Sequence, residues 1–421
     1  MRPSQCLWSL CAWTICLSAA CGEANQTAPS DQGALRRGES DLLLPLTKGQ
    51  LLGSDPPTAV AIGPNAIVVA STSPKLTIYA RGFARVEQQT FALPEHAQAV
   101  AIDGDTIAVG LPQQEQVEIF RRSGGTWAWV QTLTETQPYG NSTDASLFGF
   151  ALALRGNTLA VAEPMRDDHA GRVLLFERTN GAFPTSPNKV IYGALYPDAC
   201  YATTADEEFG LELTFMLGQP GADATLVVGK PGVGQGGCKG PFSGRAGQVF
   251  VFEQKAGVWP DAPTATLTPS DLSSHNFGHS LSASDGSIAV GQDAHAEVFR
   301  KVGASWTSIA ELAVEGLQGQ GQLPRVAFDG YVLAVSTHDY VTVYELSLLG
   351  VFRQTAQLVP TTTTDEWPER TLALARSSLV EDGVRGAWPP VGTLVVGVPV
   401  ASDNSQTGAY VYRAIEIGGV P

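Results

Sequence analysis

The chain has 421 residues and a formal net charge of −15, with 43% hydrophobic and only 16% charged residues. That length carries two or three average domains or one large repeat fold, and an acid excess with no basic cluster argues against nucleic acid as a partner. Its 45 glycines and 27 prolines suit many short strands joined by turns and exclude a long helical bundle.

Residues 1–20 are a different chemistry. "MRPSQCLWSLCAWTICLSAA" has a charged start, a short apolar middle and a small-residue end, the layout of a secretory signal that is too short to span a bilayer. The ending Leu17-Ser18-Ala19-Ala20-Cys21 resembles a bacterial lipobox, with the leucine four residues before the cysteine instead of three. The resemblance implies a lipid anchor at Cys21; simple cleavage after Ala20 is the other reading. Residues 21–40 are polar and rich in turn formers, as a flexible tether would be. The chain is therefore expected at a bacterial outer membrane, periplasm or cell surface.

Next comes a strand-like run, "DLLLPLT" at 41–47, with no partner run of its own. After it a hydrophobic run recurs seven times, from "AIVVAST" at Ala66, through "TIAVGLP" at Thr106, "TLAVAEP" at Thr158, "TLVVGKP" at Thr225, "SIAVGQD" at Ser287 and "VLAVSTH" at Val332, to "TLVVGVP" at Thr393. Upstream of each lies a second run, joined by turns such as "DGD" at 103–105 or "RGN" at 155–157, which is a strong hairpin signal. Downstream a third run ends on an aromatic: Tyr79, Phe120, Phe176, Phe252, Phe299, Tyr344 and Tyr412. In four units another aromatic follows after a turn, at Trp127, Phe183, Trp259 and Trp306, and marks a fourth strand.

Four-stranded units at this spacing predict an all-β, seven-bladed β-propeller of antiparallel blades over 41–418, with blades near 57–96, 97–137, 145–198, 206–271, 275–315, 323–361 and 369–418. Too few residues remain after Tyr412 for a last outer strand. The run at 41–47 is expected to supply it, so that both termini close the ring and an open sheet edge disappears.

The pattern "FG…GNTLAVAEP…AGRVLLFER" in 148–178 resembles the FG-GAP repeat of integrin-like propellers and bacterial surface proteins. Phe209-Gly210 with Gly229-Lys230-Pro231, and Phe277-Gly278 with Gly291, are similar in the same way. Such blades often hold calcium between their first two strands, but the short turns here offer no alternating set of side-chain oxygens, so no metal or other cofactor is expected. "GVGQGG" at 232–237 matches a dinucleotide fingerprint in letters only, because no helix can follow it.

The cysteines left after the signal are Cys21, Cys200 and Cys238. Cys200 lies in the loop entering the fourth unit and Cys238 in the loop between that unit's second and third strands. Both loops emerge on one face of a meander, so a disulfide between them is the preferred reading over two thiols or an incomplete zinc pair. The same face gathers Asp167, Asp168, His169, Tyr196, Tyr201, Phe242, Asp293, His295, His338, Asp339, Asp403 and Asn404. Polar loops usually just face water, yet loops on a rigid scaffold are also where binding is built.

The reading is a non-catalytic binding module for a protein or glycan at the envelope, held to the membrane only through Cys21 and acting as a monomer. A carbohydrate-active enzyme with its site at the propeller mouth, and a structural envelope component, are the alternatives.

Overall fold

A computed structural model describes residues 43–45, 50–53, 55–80, 87–135, 146–193, 208–217, 223–231, 247–272, 275–293, 295–313, 323–336, 340–347, 350–359, 372–376, 392–398 and 408–413. In chain order the strands are β1 (Leu43–Pro45), β2 (Gln50–Gly53), β3 (Pro57–Ile62), β4 (Ala66–Ser71), β5 (Lys75–Ala80), β6 (Glu87–Ala92), β7 (Ala99–Asp103), β8 (Thr106–Leu111), β9 (Gln116–Ser123) and β10 (Thr126–Thr134). They continue with β11 (Leu152–Arg155), β12 (Thr158–Glu163), β13 (Arg172–Glu177), β14 (Lys189–Tyr192), β15 (Leu213–Phe215), β16 (Thr225–Lys230), β17 (Gln248–Glu253), β18 (Ala265–Leu267), β19 (Ser280–Ser284) and β20 (Ser287–Gln292). The rest are β21 (His295–Val302), β22 (Ser305–Ala313), β23 (Arg325–Phe328), β24 (Val332–Ser336), β25 (Val341–Leu346), β26 (Phe352–Val359), β27 (Leu372–Arg376), β28 (Gly392–Val398) and β29 (Gly408–Arg413). A short helix, Arg166–His169, lies between β12 and β13.

The expectation of seven four-stranded antiparallel blades is corrected by the strand pairing. Six sheets are four-stranded: β3–β6, β7–β10, β11–β14, β15–β18, β19–β22, and β27–β28–β29 with β2. The remaining sheet is five-stranded and mixed, because β1 joins β23–β26 at its outer edge and runs parallel to β26.

The closing strand is corrected with it. It is β2, paired antiparallel with β29, and not the run at 41–47, whose residues Leu43–Pro45 cap the neighbouring sheet. Both segments are short apolar runs, and propensity alone does not say which edge each will meet.

Inner strands pack in a circle, β3 on β7, β7 on β11, β11 on β15, β15 on β19, β19 on β23, β23 on β27 and β27 on β3. The second strand of each sheet is sandwiched between neighbouring sheets, which is why "TLAVAE" and "SIAVGQ" are buried along their whole length. Seams between sheets are hydrophobic: one joins Val117, Ile119 and Leu133 to Phe148, Leu159 and Phe176.

The recurring Phe-Gly has a local cause. Leu147, Glu208 and Asn276 precede it with φ of 58°, 48° and 59°, and Gly149, Gly210 and Gly278 follow at 90°, 92° and 98°. A positive-φ residue on either side of the phenylalanine makes a tight entry into the inner strand. The glycine amide then bonds back to the second strand, as Gly149 N–H does to Ala162 O at 3.1 Å and Gly278 N–H to Gly291 O at 3.1 Å. Phe148, Phe209 and Phe277 are driven into the seams and are at most 2% exposed.

The rim is tied by side chains that copy a strand edge. Gln131 donates to Phe183 O (2.7 Å) and accepts from Phe183 N–H (3.1 Å), and Gln89 clasps the backbone of Trp127 in the same two-way manner.

Candidate functional site

Every inner strand is the last strand of its sheet on the axial side, so the inner strands together wall a central cavity of about 240 Å³. The wall is chemically divided. β3, β7 and β11 contribute Val60, Ile62, Val100, Ile102, Leu152 and Leu154. The opposite arc, from β15 to β23, brings Glu212, Thr214, Ser280, Ser282 and Arg325.

The serines fall on alternate positions of β19 and reach the backbone of β23. Ser280 Oγ accepts from Val326 N–H (3.0 Å), Ser282 Oγ accepts from Phe328 N–H (2.9 Å) and donates to Phe328 O (3.2 Å), and Ser284 donates to Asp329 O (3.0 Å). With a period of two they face the same neighbour, and they satisfy backbone groups that no strand pairs.

At the mouth of the cavity, where the inner strands begin, Arg325 crosses the start of β19. Its Nη1 lies 3.4 Å from Glu212 Oε2 and donates to His279 O at 3.1 Å. The two side chains are 18% and 15% exposed, so the pair sits at a partly wet rim. Beneath it the His279 ring is buried, with Nδ1 2.9 Å from Asn276 O and Nε2 2.7 Å from Pro324 O. Burial, with the charge of Arg325 adding to it, pulls the His279 pKa down to about 3. A neutral ring has one N–H for its two carbonyl neighbours. Gly291 makes room for it: a β-carbon there would meet His279 Cε1 at 2.8 Å.

A second polar cluster locks the seam between the β7–β10 and β11–β14 sheets. Glu115, with φ of 54°, accepts from Ser146 Oγ–H (2.7 Å), Leu147 N–H (3.1 Å) and Phe148 N–H (2.8 Å). Beside it Arg172 is held between Glu163 and Glu135, at 3.0 Å from the latter, with Glu163 wholly buried. The carboxylate of one sheet thus holds the entry turn of the next.

Of the site residues expected from sequence, Asp293 and His295 come together. Asp293 accepts from Asn276 Nδ2 (2.8 Å), lies 3.4 Å from His275 Nδ1, and its carbonyl is 3.0 Å from His295 Nδ1. Asp167 is exposed, has φ of 54° and contacts Arg166 (3.7 Å), so it does not join them. Asp168 and His169 occupy the helix Arg166–His169, with their side chains outside the described residues. Cys21, Tyr196, Cys200, Tyr201, Cys238, Phe242, His338, Asp339, Asp403 and Asn404 also lie outside them. Glu212 and Arg325 escaped the sequence reading because they are 113 positions apart. His279 had a signal, since it stands directly after Phe-Gly, where Phe150 and Leu211 stand in the other two copies.

No family model matches the chain, and no curated protein matches it. Among solved structures it is similar to the β-propeller domain of Cps50 (Swd1) from Myceliophteria thermophila, with a TM-score of 0.54 and 10% identity over 86% of this chain and 98% of that one. The fold is a β-propeller. At that identity the likeness concerns the path of the backbone, and the FG-GAP resemblance rests on the residues that carry it.

Proposed function

We propose that this propeller is an exported, lipid-anchored bacterial envelope protein that binds a protein or glycan without catalysing a reaction on it. The observation that carries the binding reading is the partly exposed Glu212–Arg325 pair at the mouth of a cavity with one apolar and one polar arc. A concave site with few convergent polar groups on a rigid frame is a usual setting for recognition. The signal-like residues 1–20 and Cys21 support export and anchoring.

The test is capture from envelope extract, and on an array of envelope glycans, with residues 22–421 as bait beside the same bait carrying Arg325→Gln. A ligand held by the first and lost by the second supports the reading. Cleavage of an offered polysaccharide would replace it with the enzyme alternative. Labelled fatty acid incorporated by the full chain and lost in Cys21→Ser tests the anchor.

A further inference from the structure

At the end of the propeller opposite the Glu212–Arg325 pair, two guanidinium groups meet across the seam between the β7–β10 and β11–β14 sheets. Arg121 is the cross-strand neighbour of Thr106, and Arg178 Nη1 donates to Thr106 Oγ1 at 2.6 Å. The rest of the Arg178 fork is spent on Asn157 Oδ1 (3.2 and 2.9 Å from Nε and Nη2) and Gly156 O (3.3 Å), with the Phe183 ring centroid 5.7 Å from its carbon. Arg121 Nη1 donates to Gly181 O at 3.2 Å, where glycine leaves the space open.

Every one of these acceptors is neutral. Lys75, Arg172, Lys189, Lys301 and Arg325 each reach a carboxylate, whereas this pair shares neutral acceptors with Arg155 and Arg300 and differs from them in bringing two guanidinium groups close enough to feel each other's charge. Asp103, the acid beside the pair, spends an oxygen on Gly156 N–H and makes no ion pair with either arginine. Arg121 Nε is shielded from solvent and has no acceptor among the described residues. Burial first, and the charge of Arg121 second, hold the Arg178 pKa below its ordinary value, against a smaller opposing pull from the Asp103 carboxylate.

We propose that this seam is a binding subsite for a sulfate or phosphate ester group. A carboxylate has two oxygens, whereas a sulfate or phosphate monoester has three terminal oxygens, enough to take the remaining η N–H groups of Arg121 together with the one Nη1–H of Arg178 that Thr106 leaves over. The group enters from the exposed surface of the turns at Ser123–Thr126 and Thr179–Ala182. This subsite lies at the other end of the ring from the cavity mouth and does not rest on the function proposed for it.

Two sources carry this chemistry, a sulfated glycan and a lipid whose headgroup is a phosphate monoester. The full chain is titrated with dextran sulfate and with unsulfated dextran, and separately with phosphatidic acid and phosphatidylcholine vesicles, at one ionic strength. Binding is expected to dextran sulfate or to phosphatidic acid and to neither neutral control, and the responding arm identifies the source. Inorganic sulfate should compete better than chloride at matched ionic strength.

Arg121→Gln and Arg178→Gln should each weaken binding by about tenfold, with Arg121→Lys intermediate. Arg300→Gln, at the same end on another sheet, should change it less than about twofold. Urea midpoints of the variants report folding, and the sulfate competition on unaltered protein needs no variant. Equal loss in Arg300→Gln, full retention in Arg121→Gln, or no binding in either arm overturns the proposal.

Discussion

The carbonyl oxygen of Gly149 stands 1.9 Å from the point where a β-carbon on Gly110 would be, and Gly278 O stands 2.0 Å from the same point on Gly229. The Phe-Gly turn of one sheet therefore presses its backbone onto the second strand of the sheet before it, at a place where only glycine fits. Gly110→Ala and Gly229→Ala should each destabilise the fold by about 3 kcal/mol, because backbone and not a pliable side chain must move. Gly124→Ala, at φ of 58° with open space around it, should cost only about 1 kcal/mol. Urea midpoints compare the three, and equal losses would contradict the close-approach account.

Arg172 neutralises a wholly buried Glu163. Replacing it by leucine leaves that charge with the Ser146 hydroxyl but no cation beside it, for a loss of about 3–5 kcal/mol. Adding Glu163→Leu should restore part of it, the rest staying lost because Glu135 still lacks the guanidinium. A double-mutant cycle in urea reads the coupling, and additive losses would refute it.

His279 gives the protein an acid sensitivity with a definite sign. Its folded pKa is about 3 against an ordinary 6.5, so between those values the unfolded chain binds the proton and the folded one does not. Stability is full above the unfolded value and falls with pH below it, by about 1.4 kcal/mol per pH unit. His279→Gln loses ring contacts at every pH and has no such slope. The gap between the two urea midpoints should narrow from about pH 7 to about pH 4.5. Parallel curves would show that the ring does not titrate as its burial requires.

Ser282 both accepts from and donates to Phe328. Ser282→Ala strips the acceptor from a buried N–H and should cost about 1–3 kcal/mol by thermal or urea unfolding. A neutral result would mean that water replaces the hydroxyl at the cavity wall.

The elements were legible where their physics is local. Recurring apolar runs, Asp-Gly turns and the Phe-Gly entries marked the strands from β3 to β29, because each signal depends on residues a few positions apart. Pairing at the termini was not, since Leu43–Pro45 and Gln50–Gly53 offer similar apolar edges and only the assembled ring decides which sheet takes which. Site residues were least visible. Asp293 and His295 meet because a tight turn joins their strands, whereas Glu212, His279 and Arg325 are brought together by the stacking of three sheets. A rule that looks for acids and histidines in loops passes over charges that open a strand.

β2 lies near the start of the sequence and pairs, among the described residues, with β29, close to the other end. A nascent chain therefore carries an unpaired latch through almost the whole of its synthesis, with the circle open until residues 408–413 arrive. Ribosome stalling or proteolytic clipping just short of that strand would release a molecule with most sheets formed and one raw edge exposed, a far more adhesive species than the finished ring.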